Sequence, residues 1–368
     1  MLLDHTFTIG TAHNRNQGAN LFFPVITDTG LISNGYAYMN EQPAREQQTT
    51  TTGILLLNLG GPETQEDVEP FLYNLFSDRR IIRLGPFFLQ KFIARRIACK
   101  RAPQSRANYA QIGGGSPILA ITNKQAQALN RTLADHGDYI VLPCMRYWPP
   151  FADESIDQLL AAGVTRLIAL PLYPHYSIAT TGSSLIDLEN AIGRRTNPPS
   201  LTIIKSWPIQ PGYIKALCRR ITEGMARSAD KQTELVYSAH SLPQQFIDDG
   251  DPYVDELKQT ITAIEAQTGI RGRLCYQSRS GPVKWLEPST PDMLRLLAGR
   301  GVQKILMVPL SFVSDHVETL YEIDILYRRM AGDLGMQLES TPGLNDDPLF
   351  IQGLADLILQ HEKKEKLQ

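Results

Sequence analysis

The sequence GVTRLIALPLY (residues 163–173) returns in similar form as GVQKILMVPLS (residues 301–311). Each copy follows a stretch of helical period that contains a leucine pair, at residues 159–160 and 296–297. Each copy is also a continuous apolar run rather than an alternating one, which is typical of a parallel strand buried on both faces. We interpret the pair as an internal repeat and predict that the chain folds as two similar halves.

Apolar runs of the same kind recur from residue 53 onwards and alternate with amphipathic stretches of helical period. This alternation predicts an α/β fold in which helices connect parallel strands. We expect two similar doubly wound, Rossmann-like domains whose sheets face a central cleft, with residues 53–210 in the first and 211–368 in the second. The turn sequence PIQPG at residues 208–212 favours this boundary. The other predicted strands are residues 53–59, 139–145, 201–207, 234–240 and 273–278.

Residues 1–52 differ from the rest of the chain. They are rich in Asn, Gln, Thr and Gly and have no sustained helical or strand period. We predict a poorly ordered N-terminal extension, with Met39 as an alternative start.

The composition excludes several classes of protein. The 368 residues carry a formal net charge of −2, whereas nucleic-acid-binding proteins usually have a strong basic excess, so we expect no nucleic-acid partner. No apolar run approaches the roughly 18–20 residues that span a bilayer. The four cysteines are far apart and include no C-x-x-C pair, which favours free thiols in a reducing cytoplasm over disulfides or structural zinc.

Ligands of doubly wound folds lie beyond the carboxyl ends of the parallel strands, so the residues at those ends are the candidates for chemistry. The run at 234–240 ends in His240, and Pro243 then stops the strand because proline has no amide hydrogen. The second copy of the repeat leads to His316 and Glu318, and Glu322 follows one helical turn later. These four side chains form the strongest candidate site.

Two interpretations of Glu318 and Glu322 remain open at this point. Asp315-x-x-Glu318 is a variant of the capping box, which would stabilise a helix by about 1 kcal/mol. Two glutamates four residues apart are mildly destabilising on a helix, which favours a role with a metal, a proton or a cation. A solvated acidic face is the simpler alternative.

Three other segments have both a binding and a structural interpretation. Arg146 follows a strand, where its planar fork suits a carboxylate, although a surface arginine fits equally well. The glycines at 113–115 allow a backbone to approach a flat ligand, or simply form a turn. Ile118 stands where a nucleophile elbow requires glycine, which argues against a serine hydrolase. Residues 87–101 mix phenylalanine with basic side chains, as in a lip that touches a membrane, or in a helix with a basic outer face.

From Gly53 to about Glu362 the chain resembles the ferrochelatase family. The resemblance implies a lyase that inserts Fe²⁺ into protoporphyrin IX, releases two protons and forms protohaem in the last step of haem biosynthesis. The motifs that carry the resemblance are GILLLNLGGPET (53–64), YAQIGGGSPI (109–118), MRYWPP (145–150), YPHYSIATTGSS (173–184), YSAHSLP (237–243), GDPY (250–253), CYQSRSGPVKWLEP (275–288) and SFVSDHVETLYEID (311–324).

The resemblance also implies roles for individual residues. His240 matches the residue that contacts the metal and accepts protons, and Glu318 matches its partner at the metal. His316 and Glu322 match residues of the polar path that handles protons, and we count all four as catalytic. The residues that match porphyrin contacts are Leu59, Arg101, Tyr109, Ser116, Arg146, Trp285 and Phe312.

Two departures from family patterns refine this expectation. Leu59 stands where relatives that use coproporphyrin often carry tyrosine, which favours protoporphyrin. No cysteine follows Cys275, whereas relatives with an iron–sulfur cluster have several there, so we expect no cluster and no cofactor beyond the substrate Fe²⁺.

The alternatives are a chelatase for coproporphyrin or another metal, and a tetrapyrrole-binding protein without catalysis. We expect a cytoplasmic protein, with peripheral contact to the inner membrane as an option. The sequence does not predict the oligomeric state.

Overall fold

Two parallel four-stranded sheets form the framework of the fold. The computed structural model describes residues 51–82, 84–227, 233–279 and 281–365, so most of the predicted N-terminal extension lies outside the described residues. The strand order is β2-β1-β3-β4 in the first sheet and β6-β5-β7-β8 in the second. The identical order confirms the α/β fold and the internal repeat. The strands are β1 Thr52–Asn58, β2 Tyr139–Met145, β3 Arg166–Pro171, β4 Ser200–Ile203, β5 Thr233–His240, β6 Gly272–Gln277, β7 Lys304–Pro309 and β8 Gln337–Ser340.

Helices connect the strands and cover both faces of each sheet. Two of the segments are π-helices, which we name π1 (Ile178–Gly182) and π2 (Glu318–Tyr327). No helix among the described residues is long and apolar enough to cross a membrane. The α-helices are α1 Val68–Ser77, α2 Gln90–Ala110, α3 Ile118–Leu133, α4 Ala152–Ala161, α5 Ser183–Gly193, α6 Pro211–Arg227, α7 Gln244–Asp248, α8 Tyr253–Thr268, α9 Thr290–Gly299, α10 Arg328–Asp333 and α11 Pro348–Glu365, with short 3₁₀ turns at Phe87–Leu89 and Ala134–His136.

The register of the strands relates the two halves residue by residue. Leu57 of β1 lies opposite Pro171 of β3, and Ser238 of β5 lies opposite Pro309 of β7. Two residues beyond each of these positions the chain reaches Leu59 in the first half and His240 in the second. The repeat therefore places an apolar side chain and an ionisable one at equivalent strand ends.

A single apolar core joins the inner faces of the two sheets. It contains Ile54 and Leu129 from the first half together with Leu235 and Leu306 from the second. Helix α11 packs against both α3 and α6 within this core. The predicted domain boundary at 210/211 falls just before α6 and stays a prediction.

The C-terminal helix also makes polar contacts with the first sheet. The Glu362 carboxylate on α11 accepts hydrogen bonds from the Tyr139 hydroxyl (2.5 Å) and the Arg166 guanidinium (2.9 Å). Tyr139 and Arg166 are the first residues of β2 and β3. The last helix of the chain therefore closes the amino edge of the first sheet.

Helices α6 and α11 approach each other closely because glycines lie at their crossing. A Cβ atom at Gly212 would lie 2.6 Å from Cα of Gly353, and one at Gly353 would lie 2.9 Å from Cα of Gly212. Both distances are shorter than real side chains tolerate. A Cβ at Gly353 would also meet the side chain of Gln210, which is held in place because it donates to the Gly353 carbonyl and accepts from the Tyr213 amide.

We expect Gly353→Ala to lower the free energy of unfolding by about 1–3 kcal/mol, because the added methyl group forces α6 and α11 apart. The matched control is Gly193→Ala at the end of α5, where no described atom lies within 4 Å of the new Cβ. The control should be neutral or stabilising by up to about 1 kcal/mol. Urea unfolding of the three proteins measures both values, and equal stability of the two variants would contradict the packing argument.

Candidate active site

His240 is the last residue of β5, and its backbone is held on both sides. Its amide donates to Oγ of Ser311 (2.9 Å), and its carbonyl accepts a hydrogen bond from the Tyr253 hydroxyl (3.0 Å). The side chain is about one-third exposed (33%) at the carboxyl edge of the second sheet. The strand end therefore presents the imidazole to the outside of the sheet, as the sequence predicts.

Glu318 meets His240 from the neighbouring strand. It is the first residue of π2, which follows β7, and its Oε2 lies 2.7 Å from Nδ1 of His240. The Glu318 side chain is 14% exposed, so the contact is shielded from water on one side. Since Nδ1 is engaged by the carboxylate, Nε2 is the ring nitrogen left to meet a ligand.

The capping-box interpretation of Asp315 and Glu318 is wrong. The Asp315 amide donates to Oδ1 of Asn345 (2.9 Å), while the Glu318 carboxylate turns to His240 instead of back to that amide. The Asp315 carboxylate accepts hydrogen bonds from the Thr319 hydroxyl and the Gly343 amide, both at 3.0 Å. The segment is fixed by these contacts, and Glu318 is free for chemistry.

Glu322 lies beside Glu318 and shares a partner with it. Oγ of Ser278 lies 2.8 Å from Oε2 of Glu318 and 2.7 Å from Oε2 of Glu322. The side-chain amide of Gln277 donates to the backbone carbonyl of Glu318 (2.9 Å) and to Oε2 of Glu322 (3.2 Å). A hydroxyl has one hydrogen, so Ser278 donates to only one carboxylate, and its other contact requires a hydrogen on the second carboxyl.

The pKa values of the three ionisable groups His240, Glu318 and Glu322 diverge because of burial and their mutual charges. Burial lowers the pKa of His240, but the charge and hydrogen bond of Glu318 outweigh it and raise the pKa above its usual value. Burial would raise the pKa of Glu318, yet the neighbouring His240 lowers it. Burial and the Glu318 charge together raise the pKa of Glu322 to about 7. Glu322 therefore exchanges a proton near neutral pH.

His316 adds a second imidazole to the cluster. It is buried, and its Nδ1 lies 3.0 Å from the Ser314 carbonyl, which makes Nδ1 the protonated nitrogen. Among the described residues, Nε2 has no hydrogen-bond partner. Burial lowers the pKa of His316 despite the opposing charge of Glu318, so the ring is neutral and Nε2 keeps a lone pair.

Phe312 packs between the two imidazoles. Its ring centroid lies 4.3 Å from that of His316 and 6.0 Å from that of His240, in edge-to-face geometry. This arrangement keeps Phe312 half-buried at the cluster. The structure thus brings together His240, Glu318, Glu322, His316 and Phe312.

Three predicted porphyrin contacts come from the first half of the chain. Tyr109 is buried with residues of α1 and α2. Its burial, together with the charge of Glu318, raises the pKa of its hydroxyl. Leu59 packs half-buried against the same apolar group. The Ser116 amide donates to the Pro62 carbonyl (2.7 Å), and its side chain lies against Gly61, where a Cβ would lie 2.7 Å from Cβ of Ser116. Glycine is needed at position 61 for this approach.

The next two predicted porphyrin contacts are Trp285 and Arg101. Trp285 is half-buried and forms an isolated antiparallel bridge with Pro243, three residues after His240. Arg101 is exposed on α2, with its guanidinium carbon 5.3 Å from the Phe76 ring centroid. Their roles in binding stay predictions.

Arg146 makes its polar contacts with a different group. Its guanidinium donates to Oδ2 of Asp78 and Oγ of Ser183, both at 2.9 Å, and lies 3.6 Å from Asp187. It lines a surface cavity of about 570 Å³ with residues of α1, α4 and α5. The predicted carboxylate clamp is therefore already occupied by protein carboxylates, and binding a substrate carboxylate requires Arg146 to exchange partners.

Sequence reasoning missed Ser278 and Gln277. The rule that pointed to His240 would also have found these two residues. They lie at the carboxyl end of β6, which is the other neighbour of β5. Serine and glutamine have no charge, and their role becomes visible only through the carboxylates they contact.

The described residues contain no group of three or more His, Cys, Asp and Glu side chains arranged to hold a metal ion. The metal contact at His240 and Glu318 stays a prediction. The four cysteines are unpaired, and three of them are buried in apolar surroundings.

Comparison with known proteins gives a consistent result. The sequence model of the ferrochelatase family matches residues 51–362. The ferrochelatase of Desulfotalea psychrophila is 58% identical over 313 residues, which are 85% of this chain and 98% of that protein. The ferrochelatase of Geotalea uraniireducens is 50% identical over 310 residues, 83% and 97% of the two chains. The matched range includes every residue of the candidate site.

The raised pKa of Glu322 predicts a specific pH dependence of stability. The pKa of this carboxyl rises from 4.5 in the unfolded chain to about 7 in the folded protein, so the protonated form favours folding. This contribution is complete below pH 4.5 and is lost as the pH rises through 7. Glu322→Gln keeps the side chain neutral, so we expect it to raise the free energy of unfolding by about 1–3 kcal/mol at about pH 8.5 and to change it little at about pH 5. Urea unfolding at both pH values measures this difference.

Glu189→Gln is the control, since it removes an exposed glutamate from α5. It should change stability by less than about 0.5 kcal/mol at either pH. A Glu322→Gln variant that loses stability equally at both pH values would contradict the raised pKa.

Proposed function

The chain belongs to the ferrochelatase family, and on this premise we propose that it inserts Fe²⁺ into protoporphyrin IX to form protohaem. Membership of this family indicates that the chain inserts iron into a porphyrin as part of haem biosynthesis. The proposal concerns the porphyrin, the lyase reaction and the residues that carry it. Its main support is the 2.7 Å contact between His240 and Glu318 at a strand end.

Porphyrin metallation removes two pyrrole protons and places a divalent ion in a rigid ring. The ion must lose its water molecules and then leave the protein, so few protein ligands are desirable. An imidazole and a carboxylate suit ferrous iron without enclosing it in a four-ligand cage. We assign Nε2 of His240 and the Glu318 carboxylate to the metal contact.

The same pair suits proton removal. His240 titrates above its usual pKa because Glu318 stabilises its charged form, so the imidazole holds an accepted proton well. Glu322 has a pKa of about 7, so it takes up and releases a proton near neutral pH. His316 offers a free Nε2 in the same cluster. We propose that Glu322 and His316 carry protons away from His240.

Leu59 supports protoporphyrin IX over coproporphyrin. In the first half it occupies the strand-end position that His240 occupies in the second. An apolar side chain there favours the more apolar porphyrin, because it offers no hydrogen bond to a carboxylate. Contacts with the porphyrin are proposed for Leu59, Arg101, Tyr109, Ser116, Arg146, Trp285 and Phe312, and no cofactor or iron–sulfur cluster is needed.

The apolar basic lip, residues 87–101, supports peripheral contact with a membrane for an otherwise cytoplasmic protein. Phe87 and Phe88 are 81% and 78% exposed, and Phe92 is 59% exposed. The exposed side chains of Lys91 and Arg95 lie on the same segment. Exposed aromatic residues beside cations suit the interface of an anionic bilayer.

Anaerobic incubation with Fe²⁺, followed by absorbance, tests the activity. We expect the wild type to form haem faster from protoporphyrin IX than from coproporphyrin III. His240→Ala should reduce the rate by at least about a hundredfold, since it removes both a metal contact and the proton acceptor. His136→Ala replaces an exposed histidine and should leave the rate unchanged. A wild type that binds porphyrin but inserts nothing would favour the carrier alternative, and faster use of coproporphyrin would overturn the interpretation of Leu59.

Vesicle sedimentation tests the lip. We expect the protein to bind phosphatidylcholine vesicles that contain about one-third phosphatidylglycerol, and to be released by high salt. Phe87→Ser with Phe88→Ser should weaken binding about tenfold or more, because two apolar side chains no longer enter the bilayer. Leu296→Ser changes an exposed leucine (43% exposed) on α9 and should have no effect. Equal binding by the lip variant would contradict the proposal.

A further inference from the structure

Helix α8, in the second half of the chain, carries polar side chains that bind two segments of the first half. Oε2 of Glu256 accepts a hydrogen bond from the Tyr176 amide (2.6 Å), and Oε1 accepts one from the Ser206 hydroxyl (2.7 Å). One helical turn later, Oγ1 of Thr260 donates to the Pro208 carbonyl (2.7 Å). Residues four apart lie on one face of a helix, so α8 turns a single polar face towards the first half. We call Glu256, Thr260 and their first-half partners the α8 bridge.

His175 adds a buried hydrogen bond to the α8 bridge. The Thr260 hydroxyl gives its one hydrogen to Pro208, so Nε2 of His175, at 2.8 Å, donates to Oγ1 of Thr260. Burial lowers the pKa of His175 to about 3, so the imidazole is neutral. Both side chains are buried, and a buried polar group without its partner is costly. The bridge therefore resists sliding of α8 along the first half.

Asp251 makes a similar connection just before α8. Its Oδ2 accepts hydrogen bonds from the Ser177 hydroxyl (2.9 Å) and from the Ile178 amide (2.8 Å), where π1 begins. Its Oδ1 accepts a hydrogen bond from the amide of Tyr253 (3.0 Å), the first residue of α8. One carboxylate thus joins the segment after β3 to the beginning of α8.

The beginning of α8 also holds the strand end that carries His240. Tyr253 is buried, and its hydroxyl donates to the His240 carbonyl (3.0 Å). Glu256 follows Tyr253 by three residues in the same helix, so the two side chains are neighbours on its surface. A single helical turn therefore connects the Tyr176 amide of the first half with the His240 backbone of the second.

Porphyrin insertion requires a fixed relation between the two halves. The porphyrin contacts proposed for Leu59, Tyr109 and Ser116 belong to the first half, whereas His240 belongs to the second. A pyrrole nitrogen of a porphyrin held by the first half must come within reach of the imidazole. An error of about 1 Å in such an alignment costs about a hundredfold in rate.

We propose that Glu256 is a positioning residue, which fixes α8 against the first half and thereby places His240 relative to the bound porphyrin. The proposal rests on the proposed function, since that function gives His240 its role. Glu256 acts through Tyr253 and is not itself a catalytic residue.

Substitution of Glu256 separates loss of the contacts from loss of the charge. Glu256→Ala removes both acceptor oxygens, whereas Glu256→Gln keeps one for the Tyr176 amide and presents an NH₂ group to the Ser206 oxygen. We expect kcat for haem formation to fall about ten- to hundredfold in the alanine variant, with KM for the porphyrin within about twofold, because the first-half contacts remain. The glutamine variant should recover most of the rate.

Asp255→Ala is the matched control. It removes a carboxylate from the same turn of α8, where the Asp255 side chain is 79% exposed, and should leave kcat unchanged. All variants are assayed well below their melting temperatures, so that a loss of rate does not report unfolding.

A double-mutant cycle tests the contact from the side of the first half. Ser206→Ala should lower kcat by about threefold or more in the wild type and should cause no further loss in Glu256→Ala, because its partner is already absent. An equal loss in both backgrounds would overturn the proposal.

Hydrogen–deuterium exchange gives a readout without turnover. In Glu256→Ala, the peptides that contain Tyr176 and those that contain the end of β5 should both exchange at least about fivefold faster than in the wild type. Faster exchange at Tyr176 alone would overturn the proposal, since the disturbance would not reach His240.

The kinetic outcomes distinguish the proposal from its alternatives. Unchanged kcat in Glu256→Ala would overturn it, and a rise in KM for the porphyrin alone would overturn it in favour of a porphyrin contact. A glutamine variant as slow as the alanine variant would replace it with a role for the charge. If the wild type formed no haem, the proposed function would fail, and the exchange of the β5 end would decide whether Glu256 positions His240.

Discussion

The site depends on the contact between Nδ1 of His240 and Oε2 of Glu318, at 2.7 Å. It forms because β5 and β7 are parallel neighbours, so their carboxyl ends reach the same edge of the sheet. The sheet fixes one partner and π2 fixes the other, so neither side chain must search for its position. Much of the surrounding structure serves this pair: Ser311 and Tyr253 hold the His240 backbone, and Asn345 and Asp315 hold the start of π2. Pre-organisation of this kind reduces the entropy that ligand capture would otherwise cost.

The electrostatics of the cluster follow from placing two carboxyl groups and two imidazoles in partial burial. Glu318 takes the negative charge because His240 lies against it, and that charge then disfavours ionisation of Glu322. His316 stays neutral because burial dominates its surroundings. The two carboxyl groups have the same intrinsic pKa, and so do the two imidazoles. Their surroundings raise the pKa of one member of each pair and lower that of the other, so the two members differ in protonation. This differentiation arises from the protein's own charges and burial.

The fold and the centre of the site were predictable from the sequence, because continuous apolar runs and strand ends are properties of the chain itself. His240, Glu318, His316 and Glu322 were found by asking which residue each strand delivers. Ser278 was missed because an uncharged serine draws attention only through its contacts with Glu318 and Glu322, which the fold creates. The capping box at Asp315 was a reasonable local pattern, but the tertiary contacts of Asn345 and His240 override it. The occupied guanidinium of Arg146 depends on Asp78, 68 residues away in sequence, and such pairings are invisible to local analysis.

The contacts of α11 bear on how the chain is made. Glu362 holds the first residues of β2 and β3, and α11 packs on α3, although these elements are separated from it by most of the second half. During synthesis the ribosome releases the first sheet long before α11 exists, so part of its apolar surface has no cover until α11 has been made. Contacts of such long sequence separation form late and leave an intermediate open to aggregation. The nascent first half therefore keeps part of its apolar surface exposed until α11 emerges.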